Sequence, residues 1–181
     1  MHLTSLIPNK KLLASAYSSI LLPLCFLGIF MLLDYCYQAL SDQTLRFYYH
    51  DYFISFCSTV INIIAPEDGV KVIQNSITST KANLAIVRTC DGSSSFFILS
   101  AAILTFRSTL RFTIVGIVVG LIMVLLLNTV RITSLYFLMA YQSEWFSYTH
   151  HSIAPFLLIS ISCAYFSIWA YYANEVKRGN T

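Results

Sequence analysis

The chain has 181 residues, of which 57% are hydrophobic and only 10% are charged, and its mean hydropathy is +0.69. A soluble domain carries roughly 25% charged residues, so this composition excludes a water-soluble globular protein. The net charge is +3, and no basic pattern predicts a nucleic-acid partner. The apolar residues fall into long blocks without an internal repeat. We therefore expect one integral membrane domain over residues 1–181, an all-α polytopic helical bundle in the lipid bilayer.

Four apolar blocks are predicted to be transmembrane helices, because a helix needs about 20 residues to cross the hydrocarbon core. The first is longer than a signal-peptide core and lacks a clean small-residue cleavage site, so we interpret it as a retained helix. The second is short and crosses only if its serines enter the interface or the helix lies where the bilayer is thin. The third contains Gly116 and Gly120, whose GxxxG spacing favours close packing. The predicted spans are residues 12–33, 93–106, 112–130 and 152–172, and residues 34–92 are predicted to be external or interfacial.

Residues 47–66 are apolar on average, but they include His50 and Asp51 and end at Pro66. Placing Asp51 in lipid costs about 2.5–3.5 kcal/mol on an insertion scale. We therefore expect this segment to be a partly buried hairpin or a helix at the interface.

Basic residues near the ends of the predicted spans indicate the orientation in the membrane. With the N-terminus inside, six basic residues and one acidic residue lie on the cytoplasmic side, against five basic and seven acidic residues outside. A fifth span at residues 47–66 would break this agreement. The sequence therefore predicts a multi-pass plasma-membrane protein with both termini in the cytoplasm.

This topology brings chemically active side chains to one face of the membrane. Cys90 precedes the second predicted span, Asn128 and Arg131 lie at the outer end of the third, and His150 and His151 precede the fourth. A thiol, a guanidinium and an imidazole are therefore expected at the same depth, on the ends of three different helices.

These groups suit acyl transfer by a cysteine nucleophile. A thiolate attacks a carbonyl carbon, and a neighbouring histidine takes the thiol proton and returns one to the leaving amine. Arg131 stays charged at any working pH, so it can hold an oxyanion or a substrate carboxylate. Asn128 shares a helix face with Arg131, and it either orients the guanidinium or donates to the oxyanion itself.

The stretch "VRTCDGSSSFF" has the composition of an elbow before a helix. Gly92 allows a sharp turn or the close approach of another segment. The three serines at residues 93–95 can satisfy the first free N–H groups of the helix that follows. We therefore expect the elbow to present Cys90 at the mouth of that helix.

Other interpretations of the same residues remain open. Arg131 is also explained as a snorkelling anchor, and the two histidines as headgroup contacts or weak metal ligands. A zinc site is not predicted, because only one thiol is near and no HExxH motif is present. The aromatic residues in "EWFSYTHH" are most simply an interfacial belt.

The remaining cysteines have structural interpretations. Cys25 and Cys163 lie inside apolar spans and are interpreted as small buried hydrophobic residues. Cys36 and Cys57 face an oxidising compartment in this topology, where disulfides between them or with Cys90 are alternatives.

Three motifs in this order resemble the exosortase/archaeosortase family of polytopic membrane proteins. They are the Cys-x-Gly at residues 90–92, the Asn-x-x-Arg-Ile at residues 128–132, and the Trp-Phe-x-x-x-His that ends at His150. The resemblance covers roughly residues 88–158. It implies that Cys90 is the nucleophile, that Arg131 is the oxyanion or substrate clamp, and that His150 is the general base and acid. His151 is the neighbour that could substitute.

The resemblance implies a cysteine transpeptidase or protease for exported proteins. Their C-terminal sorting signals comprise a short motif such as Pro-Glu-Pro, a transmembrane helix and a basic tail. Cleavage is expected at the outer face of the plasma membrane through a thioester, without a metal or another cofactor.

Asp91 departs from the family pattern, in which Ser or Asn is common at that position. A carboxylate beside a thiol opposes its ionisation, so Asp91 is expected to point away or to pair with Arg88 or Arg131. The alternative function is a non-catalytic membrane assembly or partner-binding subunit, in which the GxxxG face binds another helix.

Overall fold

The structure is a computed structural model that describes residues 10–88 and 90–179. It is 79% helical, which confirms the predicted helical character. The α-helices of the described residues are α1 (Lys10–Gln38), α2 (Asp42–Leu45), α3 (Asp51–Ile64), α4 (Ser93–Thr105), α5 (Leu110–Tyr141), α6 (Ser143–Tyr148) and α7 (Ala154–Gly179). Turns of π-helix connect α2 to α3 (Arg46–His50) and α6 to α7 (Thr149–Ile153).

Three helical segments of the described chain are long and apolar enough to cross a membrane: Ile20–Gln38, Leu110–Tyr141 and Ser143–Val176. They match three of the four predicted spans. The remaining predicted span, residues 93–106, falls on α4, which is 13 residues long. That length corresponds to about 20 Å, whereas the hydrocarbon core is about 30 Å thick. The apolar composition of α4 was recognised in the sequence, but its length alone does not make it a span.

The helices α1, α4, α5 and α7 pack against one another and form the part of the molecule that we call the bundle. Gly116 and Gly120 lie inside it. A Cβ on Gly116 would come within 2.3 Å of the Trp169 indole, and one on Gly120 within 2.8 Å of Leu99. The GxxxG pair is thus occupied by helices of the same chain, and the predicted close packing is intramolecular. The partner-binding alternative loses the surface on which it was based.

The second part of the molecule, which we call the cap, contains α2, α3, α6, a small sheet and the last turns of α5. The sheet has three antiparallel strands in the order β1 (Lys71–Ile73), β2 (Ser76–Thr78), β3 (Asn83–Ala85). Val72 pairs with Ile77, which pairs with Leu84. The all-α prediction is therefore wrong for this segment. Three-residue strands carry too little alternation to be recognised in a sequence, and the sheet forms because its apolar face covers α3 and α5.

The helix α3 occupies most of residues 47–66, the segment that the sequence left undecided. It buries Ile54, Cys57 and Ile61 completely against the sheet and α5, and it exposes Ile63. Of the two forms expected for this segment, a hairpin or a helix at the interface, the structure shows a helix, and its 14 residues are too few to cross a bilayer. The end of α5 is longer than the predicted span because it continues into this core with residues such as Tyr136.

Neither structural interpretation of the cysteines holds. Cys36 is exposed, Cys57 is buried, and both are free thiols, so the predicted alternative of a disulfide between them is not formed. Cys25 and Cys163 lie on the outer surfaces of their helices rather than inside the protein. An apolar span in lipid need not bury its cysteines among other side chains.

A polar clasp fastens the sheet to the end of α5. The Lys81 ammonium donates to the Asp68 carboxylate over 2.6 Å, and the Tyr136 and Tyr141 hydroxyls donate to the same carboxylate over 3.0 and 2.8 Å. Asp68 follows α3 in a short 3-10 turn. One buried carboxylate therefore connects α3, the sheet and α5.

Candidate active site

Cys90 and His150 meet where the bundle joins the cap. The thiol lies just before α4 and the imidazole lies in the π-turn before α7, and Cys90 Sγ is 3.9 Å from His150 Nε2. Cys90 is buried and His150 is half-buried, whereas His151 is exposed and packs edge-on against the His150 ring. Of the two histidines, His150 is therefore the one that faces the thiol.

An aromatic ring, rather than an acid, orients the imidazole. The ring of Phe146, one turn earlier, stacks on His150 with 5.6 Å between centroids and 4° between planes. Nδ1 of His150 is buried and has no hydrogen-bond partner in the described part of the chain. The predicted aromatic belt therefore needs correction at Phe146, although Trp145 and Tyr148 are exposed. A neutral imidazole with its proton on Nδ1 presents Nε2 as the acceptor for a thiol proton.

Asn128 holds the backbone of the nucleophile. It is completely buried on α5, and its Nδ2 donates to the Cys90 carbonyl oxygen over 3.2 Å. Its Oδ1 lacks a hydrogen-bond partner among the described residues. The sequence predicted that this amide orients Arg131 or donates to an oxyanion. In the structure, Nδ2 donates one hydrogen bond to Cys90, a contact that the sequence did not predict.

Gly92 makes the contact with Asn128 possible. Its φ is +85°, a left-handed conformation that side-chain-bearing residues rarely adopt. A Cβ at this position would lie 3.1 Å from Cγ of Asn128. Both reasons given in the sequence analysis for a glycine, a sharp turn and a close approach, are found here.

Arg131 lies one turn farther along α5, at a groove of about 330 Å³ between α5 and α7. The groove is lined mainly by apolar side chains, with Ser134 and Thr149 as its neutral polar members, and none of its lining residues is acidic. Arg131 is half-buried, and its Nε lacks a hydrogen-bond partner within the described chain. A half-buried guanidinium without a counter-charge in its groove is suited to binding an anion.

The predicted pairing of Asp91 with Arg88 or Arg131 is wrong. The Asp91 carboxylate is completely buried and bonds to His50, whose Nε2 is 3.0 Å from Oδ2, and to the hydroxyl of Tyr37. Arg88 instead binds Asp42 and backbone carbonyls at the end of α1.

Asp91 also caps α4. Its Oδ1 accepts the N–H of Ser93 over 2.9 Å, while the Ser93 hydroxyl turns to the Arg88 carbonyl. The predicted serine cap is thus supplied by the aspartate. Burial alone raises the pKa of Asp91, but the hydrogen bonds from His50, Tyr37 and Ser93 outweigh it and hold that pKa below its ordinary value.

Sequence reasoning missed Tyr37, Tyr49 and His50 as neighbours of the site. Tyr49 donates to the Asp91 carbonyl oxygen over 2.7 Å, and His50 is buried beside it. The one available signal was a histidine and tyrosines next to each other in an apolar segment. That pattern does not indicate which of the distant loops they meet.

Comparisons with known proteins give no family assignment: no family model, curated protein or solved structure matches the chain significantly. The functional argument therefore depends on the geometry of Cys90, His150 and their neighbours.

Proposed function

We propose that the chain is a membrane cysteine transpeptidase or protease that cleaves the C-terminal sorting signals of exported proteins through a thioester. The observation that supports this most directly is the distance of 3.9 Å between Cys90 Sγ and His150 Nε2. The two residues are 60 positions apart and come from the ends of two helices. A nucleophile and a base within such reach are the minimum for covalent acyl transfer, since apo distances are often longer than catalytic ones.

The reaction begins when Nε2 of His150 takes the proton of the Cys90 thiol. The thiolate attacks the carbonyl carbon of the scissile peptide bond, and the oxyanion that forms is stabilised by the Arg131 guanidinium. The tetrahedral intermediate then expels the amine, which takes the proton from His150 and leaves a thioester on Cys90. An incoming amine or water attacks the thioester carbon, gives up its proton to His150, and releases the thiolate.

The site is proposed to lie at the outer face of the plasma membrane, with four spans and both termini in the cytoplasm. Leu110 and Asn128 are 18 positions apart in α5, which corresponds to about 27 Å along the helix and approaches the thickness of the hydrocarbon core. α4 runs beside this length of α5 and ends near its start. We propose that α4 makes the fourth crossing together with the loop that follows it, which contains Arg107.

The Arg131 groove supports a substrate that stays partly in lipid. Val130 is 64% exposed and Leu157 is 51% exposed, so the lining of the groove opens outward between α5 and α7. A peptide whose next segment is a transmembrane helix can approach from the bilayer through this opening.

The test is the processing of a co-expressed reporter that ends in a Pro-Glu-Pro motif, an apolar helix and a basic tail. Cys90→Ala is expected to abolish processing while the protein accumulates normally, and Cys36→Ala, which removes an exposed thiol, is expected to leave processing intact. His150→Ala should lose most of the activity, whereas His151→Ala should keep the larger part. Continued processing by Cys90→Ala would refute the proposal, and no processing by the wild type would reject this substrate class.

A further inference from the structure

A second cluster of titratable groups, the Asp91 pocket, lies at the residue that follows Cys90 in the chain. We define it as Tyr37 from α1, Tyr49 and His50 from the π-turn before α3, and Asp91 itself. The side chain and the backbone of Asp91 both accept hydrogen bonds. The carboxylate binds the Tyr37 hydroxyl and, over 3.0 Å, His50 Nε2, and the backbone carbonyl accepts from the Tyr49 hydroxyl over 2.7 Å. The pocket and the Cys90–His150 pair share no side chain.

The Asp91 pocket holds the turn with groups whose burial costs free energy. Asp91 is completely buried and His50 is 6% exposed, so both groups have given up their hydration. A serine or an asparagine could cap α4 and accept a tyrosine hydroxyl without a buried charge. A carboxylate next to a nucleophilic thiol also opposes formation of the thiolate. A hydrogen-bond donor such as His50, bound to the carboxylate, weakens the effect of its negative charge on the thiol.

We propose that His50 and Asp91 form a positioning pair that sets how readily the Cys90 thiol ionises. His50 donates from Nε2 to Asp91 and offsets the carboxylate charge, while Tyr49 and Asn128 hold the turn from opposite sides through the carbonyls of residues 91 and 90. This inference rests on the proposed function, because it assigns the pair to the same nucleophile, but the reactivity of a thiol is measurable without any substrate.

Other charged or titratable groups surround the turn. From α1 and the π-turn come Tyr37 and Tyr49, which donate as neutral hydroxyls, and burial raises the pKa of Tyr49 above its ordinary value. Arg88 is committed to Asp42. From the segment before α7 comes His150, which faces the Cys90 thiol, and from α5 comes Arg131, which lines the groove between α5 and α7. Among the described groups, His50 is the basic side chain that binds the Asp91 carboxylate.

The experiment measures the rate at which iodoacetamide alkylates Cys90 in the purified full chain in detergent. Cys25, Cys36 and Cys163 are replaced by alanine. Cys57 stays, because burial raises the pKa of its thiol to about 12 and keeps it unreactive. Rates are compared at neutral pH and near pH 10, because a difference in thiolate fraction narrows as the pH rises, whereas a difference in access does not.

The two members of the pair are expected to act in opposite directions. At neutral pH, His50→Ala should slow alkylation about tenfold and Asp91→Asn should accelerate it about tenfold, since a neighbouring charge shifts thiol ionisation by a unit or more. The double variant should match Asp91→Asn, because His50 acts on the thiol only through the carboxylate. Near pH 10 all rates should converge. His50→Gln, which keeps an N–H donor, should restore part of the rate lost in His50→Ala.

Asp51→Asn is the matched control, because it removes an exposed carboxylate beside His50 that faces Arg46 rather than the turn. It should leave the alkylation rate unchanged. Equal or same-direction effects of His50→Ala and Asp91→Asn would overturn the proposal, as would differences that persist near pH 10 and so reflect access. If His50→Ala does not fold, His50→Gln and Asp91→Asn still give the opposed signs. None of these outcomes depends on processing, so the assignment of Cys90 as the nucleophile is tested separately.

Discussion

The cap and the bundle hold their apolar residues in different ways. The cap has a closed core in which Ile54, Ile61 and Ile77 are completely buried between α3, the sheet and the end of α5. The bundle presents much of its apolar surface outward, as Val118 and Ile122 on α5 do. Its smaller buried cluster combines aliphatic side chains with an indole that packs on a glycine.

This difference agrees with the proposed placement of the bundle in lipid and of the cap in water. Water drives the burial of aliphatic side chains, at roughly 25 cal/mol for each Å² removed from contact with it. Lipid tails are as apolar as leucine, so helices in a membrane associate through close packing and hydrogen bonds instead. The bond of 2.7 Å from the Tyr165 hydroxyl to the Gly116 carbonyl is of this second kind. Cap and bundle should therefore respond to different substitutions.

The turn that holds Cys90, the proposed nucleophile, lies where the two parts meet, and the largest effect on activity is expected there. Gly92→Ala places a Cβ against Asn128 and strains a φ of +85°, so the turn must shift and carry Cys90 with it. Misplacement of a nucleophile by about 1 Å costs about a hundredfold in rate. We expect a loss of this size in reporter processing.

Gly69→Ala is the control for Gly92→Ala. Gly69 has a φ of +55° in the cap, but nothing lies within 4 Å of the position of its Cβ. This variant should cost about 1–2 kcal/mol in stability through the same backbone strain and keep its activity. Equal losses of processing in both variants would mean that strain, and not the contact with Asn128, explains the effect.

The next largest effect separates the two kinds of apolar packing. Ile54→Ala should lower the free energy of unfolding by about 2–5 kcal/mol, because it opens a cavity in the closed core of the cap. Ile122→Ala removes the same atoms from a side chain that is 53% exposed on the bundle, and its effect should be within about 0.5 kcal/mol. Thermal unfolding in detergent measures both. A large loss for Ile122→Ala would place that face of α5 against protein and not lipid.

Enlarging a small residue, rather than shortening a large one, should destabilise the bundle. Gly116→Val puts side-chain atoms into the Trp169 indole, and overpacking of this type costs about 1–3 kcal/mol. Gly28→Val is its match on α1, where nothing lies within 4 Å of the added Cβ, and it should be close to neutral. If both variants unfold at the wild-type temperature, the close packing of α5 on α7 does not stabilise the bundle.

The sequence predicted the features that depend on composition and topology. Apolar blocks gave the long helices, and their alternation placed Cys90 and His150 on the same side, as the distance between them now shows. The requirement for glycine at residue 92 could also be read from the motif. These inferences need only the direction of each helix and the length of each block.

The features that it did not predict depend on contacts between segments that are far apart in the chain. The partner of Asp91 is His50, which is 41 residues away and reaches the carboxylate only after α2 and α3 fold against the bundle. The end of α5 could not be distinguished from a continued span, since burial in the cap and burial in lipid both select apolar residues. Nothing local indicated that Phe146 would stack on His150.

The polar clasp of the cap offers the smallest and most selective effect, a dependence of stability on pH. The hydrogen bond from Lys81 holds the pKa of Asp68 below its ordinary value, and the carboxylate raises the pKa of Lys81 in return. The stabilisation from Asp68 is complete above the ordinary aspartate pKa, and it is lost as the pH falls through the lowered pKa that Asp68 has in the folded protein. The stabilisation from Lys81 is complete below the ordinary lysine pKa, and it is lost as the pH rises through the raised pKa that Lys81 has in the folded protein.

Between these limits Asp68→Asn should lower the unfolding temperature of the cap, by less than Ile54→Ala does, and should flatten the acid limb of the stability curve. Thermal unfolding between about pH 3 and pH 7 measures this limb, with Asp51→Asn as the exposed control. An unchanged acid limb in Asp68→Asn would show that the clasp is not what joins the sheet to α5.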